Sequence, residues 1–438
     1  MANRETALQV LNALRAQGHQ ALFNGGCVRD RLLGKEPKDY DIATSATPDQ
    51  VEKLFEKTVL VGAHFGVVVV VVGGQSIEVA TFRCESDYQD GRHPGKVSFS
   101  TVEQDAQRRD FTVNGLYWDG SSAEPLDLVN GRADLAAKRI RTIGDPAKRF
   151  EEDHLRLLRA VRFAVQLGFE IEPATFAAVK AWAPKIVSVS AERVRDELTK
   201  ILTSPAPGRG IRLLDETGLL AHVLPEVLTL KGVEQPAQYH PEGDVYIHTL
   251  MLLDQLNCPS AELAWGALLH DIAKPCTFER AADRIRFHGH DRIGAEMSEK
   301  ILRRLAFSNE SREIICSLVA EHLRFKDAFQ MRVSTLKRFF KLPRFDLHME
   351  LHRIDCMASH KDLSAYAFCQ SKLAEFAKEP PEPSRLVTGG DLIAMGMKPG
   401  PEFTRILREV EDAILEGAVR TREEGLEWVR KRNGRQDA

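Results

Sequence analysis

The chain has 438 residues, 43% of them hydrophobic and 28% charged, which is ordinary globular composition and enough for two or more cores. Its 60 basic and 63 acidic residues leave a net charge of −3, so it is no bulk polycation, and nucleic acid would have to be held by a local basic patch. The seven cysteines are scattered without a C-x-x-C, which argues against a disulfide framework or thiolate zinc site and for a reducing, cytoplasmic compartment.

The opening MANRETALQVLNALRAQGHQ alternates charged and apolar residues at helical spacing, so residues 5–17 read as an amphipathic helix and not as a signal peptide. ALFNGG follows as a short strand running into a glycine turn, then a helix over Val28–Leu33, then a strand in DYDIAT. Residues 48–57 read as a helix behind Thr47 as cap and Pro48 at its first position. GVVVVVV, the turn GGQS and IEVATF form a hairpin; the apolar run Val67 to Val72 is far too short to span a bilayer, and no membrane partner is expected. From about residue 146 the strand signals stop. Helical periodicity runs through EEDHLRLLRAVRFAVQL, PATFAAVKAWAPKI and SAERVRDELTKIL and on to about 380, where KEPPEPSR (378–385) is a proline-rich linker. Two more helices are expected from Leu386.

The sharpest local feature is GGCVRDRLLGKEPKDYDIAT. Asp39 and Asp41, two apart on an expected strand, leave the same face. Two crowded carboxylates repel unless a cation sits between them, and Mg²⁺ shared with substrate phosphates is the usual solution. Gly25 and Gly26 turn the chain into a helix whose free N–H groups can cradle a triphosphate, with Arg29 one turn on. Glu78, flanked by apolar residues on the hairpin, is a third carboxylate that needs a partner if buried. Metal held by three such groups would activate a 3′-hydroxyl and neutralise a leaving pyrophosphate.

GG-x-x-RD-x-L-LG…D-x-D resembles the signature of class II tRNA nucleotidyltransferases and bacterial poly(A) polymerases, within the polymerase-β nucleotidyltransferase superfamily. QRRDFTVNGLYWD resembles their ribose-binding segment, which implies that Arg109, Asp110 and Asn114 face sugar and phosphates; DLVNGRADLAAKRIRTIGDP resembles the hinge between head and neck. EEDHLRLLRAVRFA resembles the motif that reads the incoming base with protein side chains. On one continuous helix Asp153 and Arg156 are i,i+3 and Glu152 and Arg156 are i,i+4, so all three share a face; they can offer a base acceptor and donors, or form an ordinary salt bridge. Arg159 and Arg162 continue the stripe toward phosphates or acids. RCESDYQDGRHPGKVSF, with Asp90, Arg92 and Pro94, resembles the flexible loop of enzymes that add the terminal A, with His93 where a second arginine is common. The resemblance implies addition of CCA to tRNA from CTP and ATP; A-only addition and poly(A) synthesis are the alternatives, and no DNA partner is expected.

The body carries IHT at His248, LLHDIAK at His270–Asp271, HGHD, EHL at His322 and RIDCMASH at Asp355. A histidine, an adjacent His-Asp pair on an apolar helix and a distal aspartate are metal-ligand chemistry. The order resembles the HD phosphohydrolase superfamily, which implies a divalent metal on His248, His270, Asp271 and Asp355 and a possible activity on phosphate ends; His290 and His322 stand where binuclear members supply extra ligands. The tail resembles the family's tRNA-gripping segment, with a Gly-Pro turn before PEFTRIL. The expected fold is α+β: a small mixed-sheet nucleotidyltransferase head (1–145), an extended all-α neck (146–204), a helical HD-containing body (205–380) and a tRNA-binding tail (386–438).

Overall fold

The computed structural model describes residues 4–60, 66–86, 91, 95–236, 238, 240–379 and 386–433. They fall into two compact units, Met1–Thr229 with Leu256–Ala264 and Ile301–Phe307, and Leu230–Gln255 with Trp265–Lys300 and Ser308–Ala438.

The first unit begins with α1 (Arg4–Ala16), β1 (Ala21–Asn24), α2 (Gly26–Leu32), β2 (Asp41–Thr44), α3 (Pro48–Leu54), β3 (Thr58–Leu60), β4 (Val67–Val72), β5 (Gln75–Thr81), β6 (Arg83–Ser86), β7 (Lys96–Phe99) and α4 (Val102–Gln107). β8 (Leu116–Trp118), β9 (Leu126–Asp127), α5 (Gly131–Ala136) and β10 (Arg139–Ile140) complete the head. Seven strands form one sheet in the order β3-β4-β5-β2-β1-β8-β9, mixed because β2 and β5 run parallel while the other pairs are antiparallel. Alternation in β1 sends Ala21 and Phe23 to one face and Leu22 to the other. The first face meets Ala7, Val10, Leu11 and Leu14 of α1, each fully buried, at about 1.5–3 kcal/mol for each large side chain. The other face packs on Val102 and Ala106 of α4. The Thr47–Gln50 capping box and Pro48 start α3 where the sequence places them.

Nine further helices and one strand of this unit follow in order: α6 (Pro146–Glu152), α7 (Arg156–Leu167), β11 (Glu170–Ile171), α8 (Pro173–Trp182), α9 (Ala191–Leu202), α10 (Pro207–Glu216), α11 (Leu220–Val223) and α12 (Pro225–Leu228), then, after α13 (Val245–Leu253) of the second unit, α14 (Ala261–Leu269) and α15 (His290–Arg304), which begin or end in it. Between α14 and α15 lies a hairpin, β12 (Phe278–Arg280) and β13 (Ile285–Phe287). The expectation of helix alone beyond residue 146 is therefore corrected: FER and IRF are short enough to pair locally across Ala281–Arg284, and β11 pairs with β10. The second unit continues with α16 (Asn309–Glu321), α17 (Val333–Phe340), α18 (Phe345–Ala358), α19 (Ser364–Phe376), α20 (Gly389–Ala394), α21 (Pro401–Leu415) and α22 (Arg422–Asn433). Its tail helices have an apolar cluster of their own around Leu392, Ile406, Val410 and Val429. Most of the linker expected at 378–385 lies outside the described residues.

Candidate active site

The sheet register assembles the acidic edge. β1 pairs Asn24 with Asp41, and β2 pairs Ile42 with Val79 in parallel, so Asp41 and Glu78 stand level, one residue earlier on neighbouring strands. Ile77 and Val79 are buried while Glu78 is exposed, so the carboxylate lies on the open face; the strand around it is only half-buried, which corrects the reading of a buried acid. Asp41 opens β2, and Asp39 sits two residues ahead of it, outside the strand. Burial, then the charge of Glu78, with Asp39 adding to it, pushes Asp41 up to about 6 against the pull of Arg109. Three carboxylates that repel one another in this way fit a divalent cation, which would relieve that repulsion.

Asp39 and Asp41 line a cleft of about 1010 Å³ whose wall carries eleven Arg and Lys side chains against seven Asp and Glu. That excess of positive charge, rare in a chain with net charge −3, suits a polyphosphate. Gly25, at φ +67, makes the left-handed step that lets α2 start at Gly26 beside the acidic edge. Arg29, on α2, donates to Asn114 Oδ1 (2.7 Å), and Asn114 donates to Asp110 Oδ1 (3.2 Å). Asp110 also takes the Phe111 N–H (2.8 Å) and, at Oδ2, Arg159 Nε (2.8 Å) and Nη2 (2.5 Å). Burial opposes its charge, but Arg159 outweighs it and holds Asp110 well below the usual carboxylate range. Arg29, Arg109, Asp110, Asn114, Arg159 and Arg162 all reach the cleft.

Two buttresses escaped the sequence reading. Asp105, held down to about 2 by Arg109 and Arg108 against its burial, accepts from Arg109 Nη2 (3.0 Å) and Tyr117 Oη (2.6 Å), which fixes Arg109 at the wall. In the segment that starts at the end of β9, Asp127 accepts the N–H groups of Val129 (3.2 Å), Gly131 (2.9 Å) and Arg132 (2.9 Å), and Asp134 accepts from Thr112 Oγ1 (2.8 Å). This segment braces the 3₁₀ turn Thr112–Asn114 that presents Asn114. None of these three acids stands out in sequence by residue type, since each acts by bracing other groups rather than by lining the cleft.

The EEDHLRLLRAVRFA segment corrects the single-helix reading. α6 stops at Glu152 and α7 starts at Arg156; Asp153 is extended (φ −147, ψ 106) and accepts the Leu155 N–H (3.1 Å), the turn-forming habit of an aspartate. Asp153 and Arg156 therefore do not share one helix face. Asp153 instead meets Arg193 Nη2 (3.0 Å) from α9, a partner in SAERVRDEL that spacing along one helix could not reveal. Arg156 does pair with Glu152 (2.6 Å) and also donates to the carbonyls of Arg149 (3.0 Å) and Arg108 (2.9 Å). Arg162 meets Glu197 (2.8 Å). Asp153, Arg156 and Arg193 line the cleft, and Glu152 supports Arg156 from behind. The loop residues Asp90, Arg92, His93 and Pro94 lie outside the described residues; beside them the Gly91 carbonyl accepts the His154 N–H (3.1 Å).

In the second unit α13, the end of α14, the start of α15, the end of α16 and α18 bring His248, His270, Asp271, His290, His322 and Asp355 together. His248 Nε2 is 3.0 Å from Asp355 Oδ1, and His270 Nε2 is 3.1 Å from Asp271 Oδ2. Among the described residues, His248, His270 and Asp271 form one group close enough to share a metal ion, and Asp271, His290 and His322 form another. His270 Nε2 and Asp271 Oδ2 are both buried, and the same oxygen has Lys274 Nζ at 2.7 Å; an imidazole nitrogen set against a buried carboxylate oxygen fits a cation between them. Burial works against a charge on His248, yet Asp355 and Glu242 raise it to about 9. Glu242 and Lys274, which crowd this centre, were not picked out in the sequence.

A mixed-sheet head with paired carboxylates opposite a basic wall, joined in one chain to a His/Asp centre, defines a nucleotidyltransferase with a phosphohydrolase-like domain. The family models agree: the poly A polymerase head domain matches residues 21–141, the probable RNA and SrmB-binding site of polymerase A matches 168–230, and the HD domain matches 243–377. A CCA-adding enzyme of Geobacillus sp. is 34% identical over 439 residues, 98% of this chain and 97% of that protein. One from Bacillus pumilus is 43% identical over 265 residues, 60% of this chain and 62% of that one. The crystal structure of the Bacillus stearothermophilus CCA-adding enzyme in complex with CTP matches with a TM-score of 0.76 at 30% identity, covering 100% of this chain and 99% of that one. The chain belongs to the family of CCA-adding enzymes. No described helix is long and apolar enough to cross a membrane.

Proposed function

We propose that the chain adds CCA to the 3′ end of tRNA from CTP and ATP without a nucleic-acid template. The observation that carries this is the acidic edge of Asp39, Asp41 and Glu78, where burial and then the neighbouring carboxylates lift Asp41 to about 6, with Asp39 and Asp41 lining a cleft whose wall is rich in arginine. Mg²⁺ held by Asp39 and Asp41, with Glu78 beside them, supplies charge neutralisation at the triphosphate and the 3′-oxygen. Gly25, Gly26 and Arg29 receive the phosphates, and Arg109, Asp110 and Asn114 receive the sugar. Asp153, backed by Arg193, and Arg156 read the base edge: cytosine offers an N4 donor with N3 and O2 acceptors, adenine an N6 donor with an N1 acceptor, and a small arginine shift serves both. Arg159 fixes Asp110, and Arg162 borders the same wall.

The test uses tRNA transcripts ending before CCA, after C and after CC, each given labelled CTP, ATP or both with Mg²⁺. Three nucleotides added to the bare transcript, requiring both substrates, supports the proposal. One A added only to the CC-ended transcript makes it an A-adding enzyme, long A ladders make it a poly(A) polymerase, and no extension defeats the reading.

A second reading rests on the buried His/Asp centre: hydrolysis of phosphate ends at a divalent metal on His248, His270, Asp271 and Asp355. Opening of a 2′,3′-cyclic phosphate at an RNA end by one water to the 2′- or 3′-monophosphate, lost in Asp271→Ala while nucleotide addition survives, supports it; identical opening by both chains refutes it.

A further inference from the structure

α7 turns apolar residues into the core, and Leu157, Leu158, Val161 and Ala164 are fully buried. Phe163 is buried too, at 7% exposure, yet it also lines the cleft beside Arg159 and Arg162. Three guanidiniums gather on its ring. Arg162 Cζ stands 4.2 Å from the ring centroid, Arg159 Cζ 5.2 Å, and Arg29 Cζ, reaching over from α2, 5.5 Å. All three lie inside the range of about 6 Å over which a cation is drawn to an aromatic face. Phe111, fully buried, meets the ring edge-on with centroids 5.7 Å apart and planes at 75°, which holds the ring in one orientation.

Three like charges around one ring repel one another. Burial, then the charge of Arg159, with Arg29 adding to it, pulls Arg162 down to about 10, against Glu197 and Asp110. Each guanidinium has one carboxylate: Asp30 for Arg29 at 2.7 Å, Asp110 for Arg159, and Glu197 for Arg162 at 2.8 Å. These acids leave donors over. Asp110 takes only Nε and Nη2 of Arg159, and among the described residues no hydrogen bond reaches the two terminal nitrogens of Arg162. An aliphatic side chain at position 163 would fill the same volume but offer no negative face, and a further carboxylate would neutralise charge that a polyphosphate needs. A phenyl ring holds the cations close and leaves their N–H groups to a ligand, and an arriving anion relieves the crowding.

We propose that Phe163 is a positioning residue for the incoming nucleotide: its ring gathers Arg29, Arg159 and Arg162 into one anion-binding set for the triphosphate. The ring touches no reacting atom, so it acts on nucleotide affinity through the arginines and leaves the chemical step unchanged. Only the identity of the anion, a nucleoside triphosphate, rests on the proposed function.

Fluorine drains electron density from a phenyl face without removing the ring, so the full chain is made with phenylalanines of rising ring fluorination at position 163. Calorimetry gives the Kd of CTP with Mg²⁺, extension of a tRNA transcript lacking CCA gives kcat and KM, and a thermal scan reports stability. Kd and KM for CTP are expected to climb with each added fluorine, by about 5- to 30-fold in all, the scale of a largely desolvated cation–ring contact. kcat, the KM for tRNA and the thermal midpoint stay unchanged. Phe163→Leu shows the full loss of CTP affinity, and Phe163→Tyr, which keeps the aromatic face, stays near the parent. A CTP affinity that ignores fluorination overturns the proposal, as does one lost only in step with the thermal midpoint, or a parent chain that binds no CTP. A rise confined to the KM for tRNA assigns the arginines to RNA and overturns it too. A parent that binds CTP with the fluorine dependence yet extends no tRNA leaves the proposal standing and removes the CCA-adding reading.

Discussion

Arg159→Ala tests the network that ties α7 to Asp110 and the Thr112–Asn114 turn. Arg159 places two donors on Asp110 Oδ2, and the Asp110 residue is 7% exposed. Removing one partner of a buried ion pair costs about 3–5 kcal/mol because the other charge is left uncompensated. Here the Arg159 side chain is 32% exposed, and Phe111 N–H and Asn114 still reach Asp110 Oδ1, so about 2–3 kcal/mol is expected after solvent screening. For a unit of this size that lowers the midpoint of its thermal transition by about 5–10 °C in scanning calorimetry. The pH dependence has a defined sign. In the parent the folded pKa of Asp110 is depressed, so its stabilisation is complete above the unfolded value near 3.9 and is lost only as pH falls through the lower folded value. In the variant an unpaired buried carboxyl is raised instead, so its penalty is full at neutral pH and fades as pH falls toward the unfolded value. The gap between the two proteins is therefore widest at pH 7–8 and narrows toward pH 4. Asp110→Asn on top of Arg159→Ala removes the stranded charge and recovers part of the loss. A shift below 1 °C, a gap unchanged between pH 8 and 5, or a double variant no more stable than Arg159→Ala would refute the reasoning.

Asp41→Asn lowers nucleotide addition by at least about 10³-fold with the fold intact by circular dichroism, the scale of losing a preorganised charge contact. Because Asp41 titrates at about 6, the acid limb of kcat/KM lies near that pH at low Mg²⁺ and moves down by about one unit per tenfold rise in Mg²⁺ above its Kd; a limb that ignores Mg²⁺ contradicts the metal assignment. Arg193→Ala frees Asp153 and lowers kcat/KM for CTP about 10- to 100-fold while tRNA affinity holds and UTP misincorporation rises; unchanged selectivity in primer extension would show that the 3.0 Å pair is only structural. Gly131→Ala puts a Cβ 2.2 Å from the Thr112 carbonyl and costs about 3 kcal/mol or more, whereas Gly144→Ala, with nothing within 4 Å but φ +72, costs about 1 kcal/mol; equal denaturation midpoints for the two variants would break the packing argument.

What the sequence determined by itself was local. Period-2 alternation in IEVATF, the Thr47-Pro48 start of α3 and the Leu8–Leu14 stripe of α1 depend on neighbours a few residues apart, so elements and their faces were legible. The acidic pair, the glycine turn and the spaced His and Asp residues were legible because each lies in a short motif whose chemistry follows from residue type. Tertiary structure decided the partners. Glu78 joins Asp41 through a parallel register that pairs residues 37 apart. Asp153 leaves its expected helix, its backbone extended and its carboxylate taking the Leu155 N–H, and Arg193 meets it from 40 residues away. Asp271 divides four histidines between its two oxygens only because α13, the start of α15 and the residues that follow α14 and α16 present them at once. A side chain's type limits what it can bind, but which carboxylate, carbonyl or imidazole stands within 3 Å is set by packing between segments whose spacing in the chain carries no record of it.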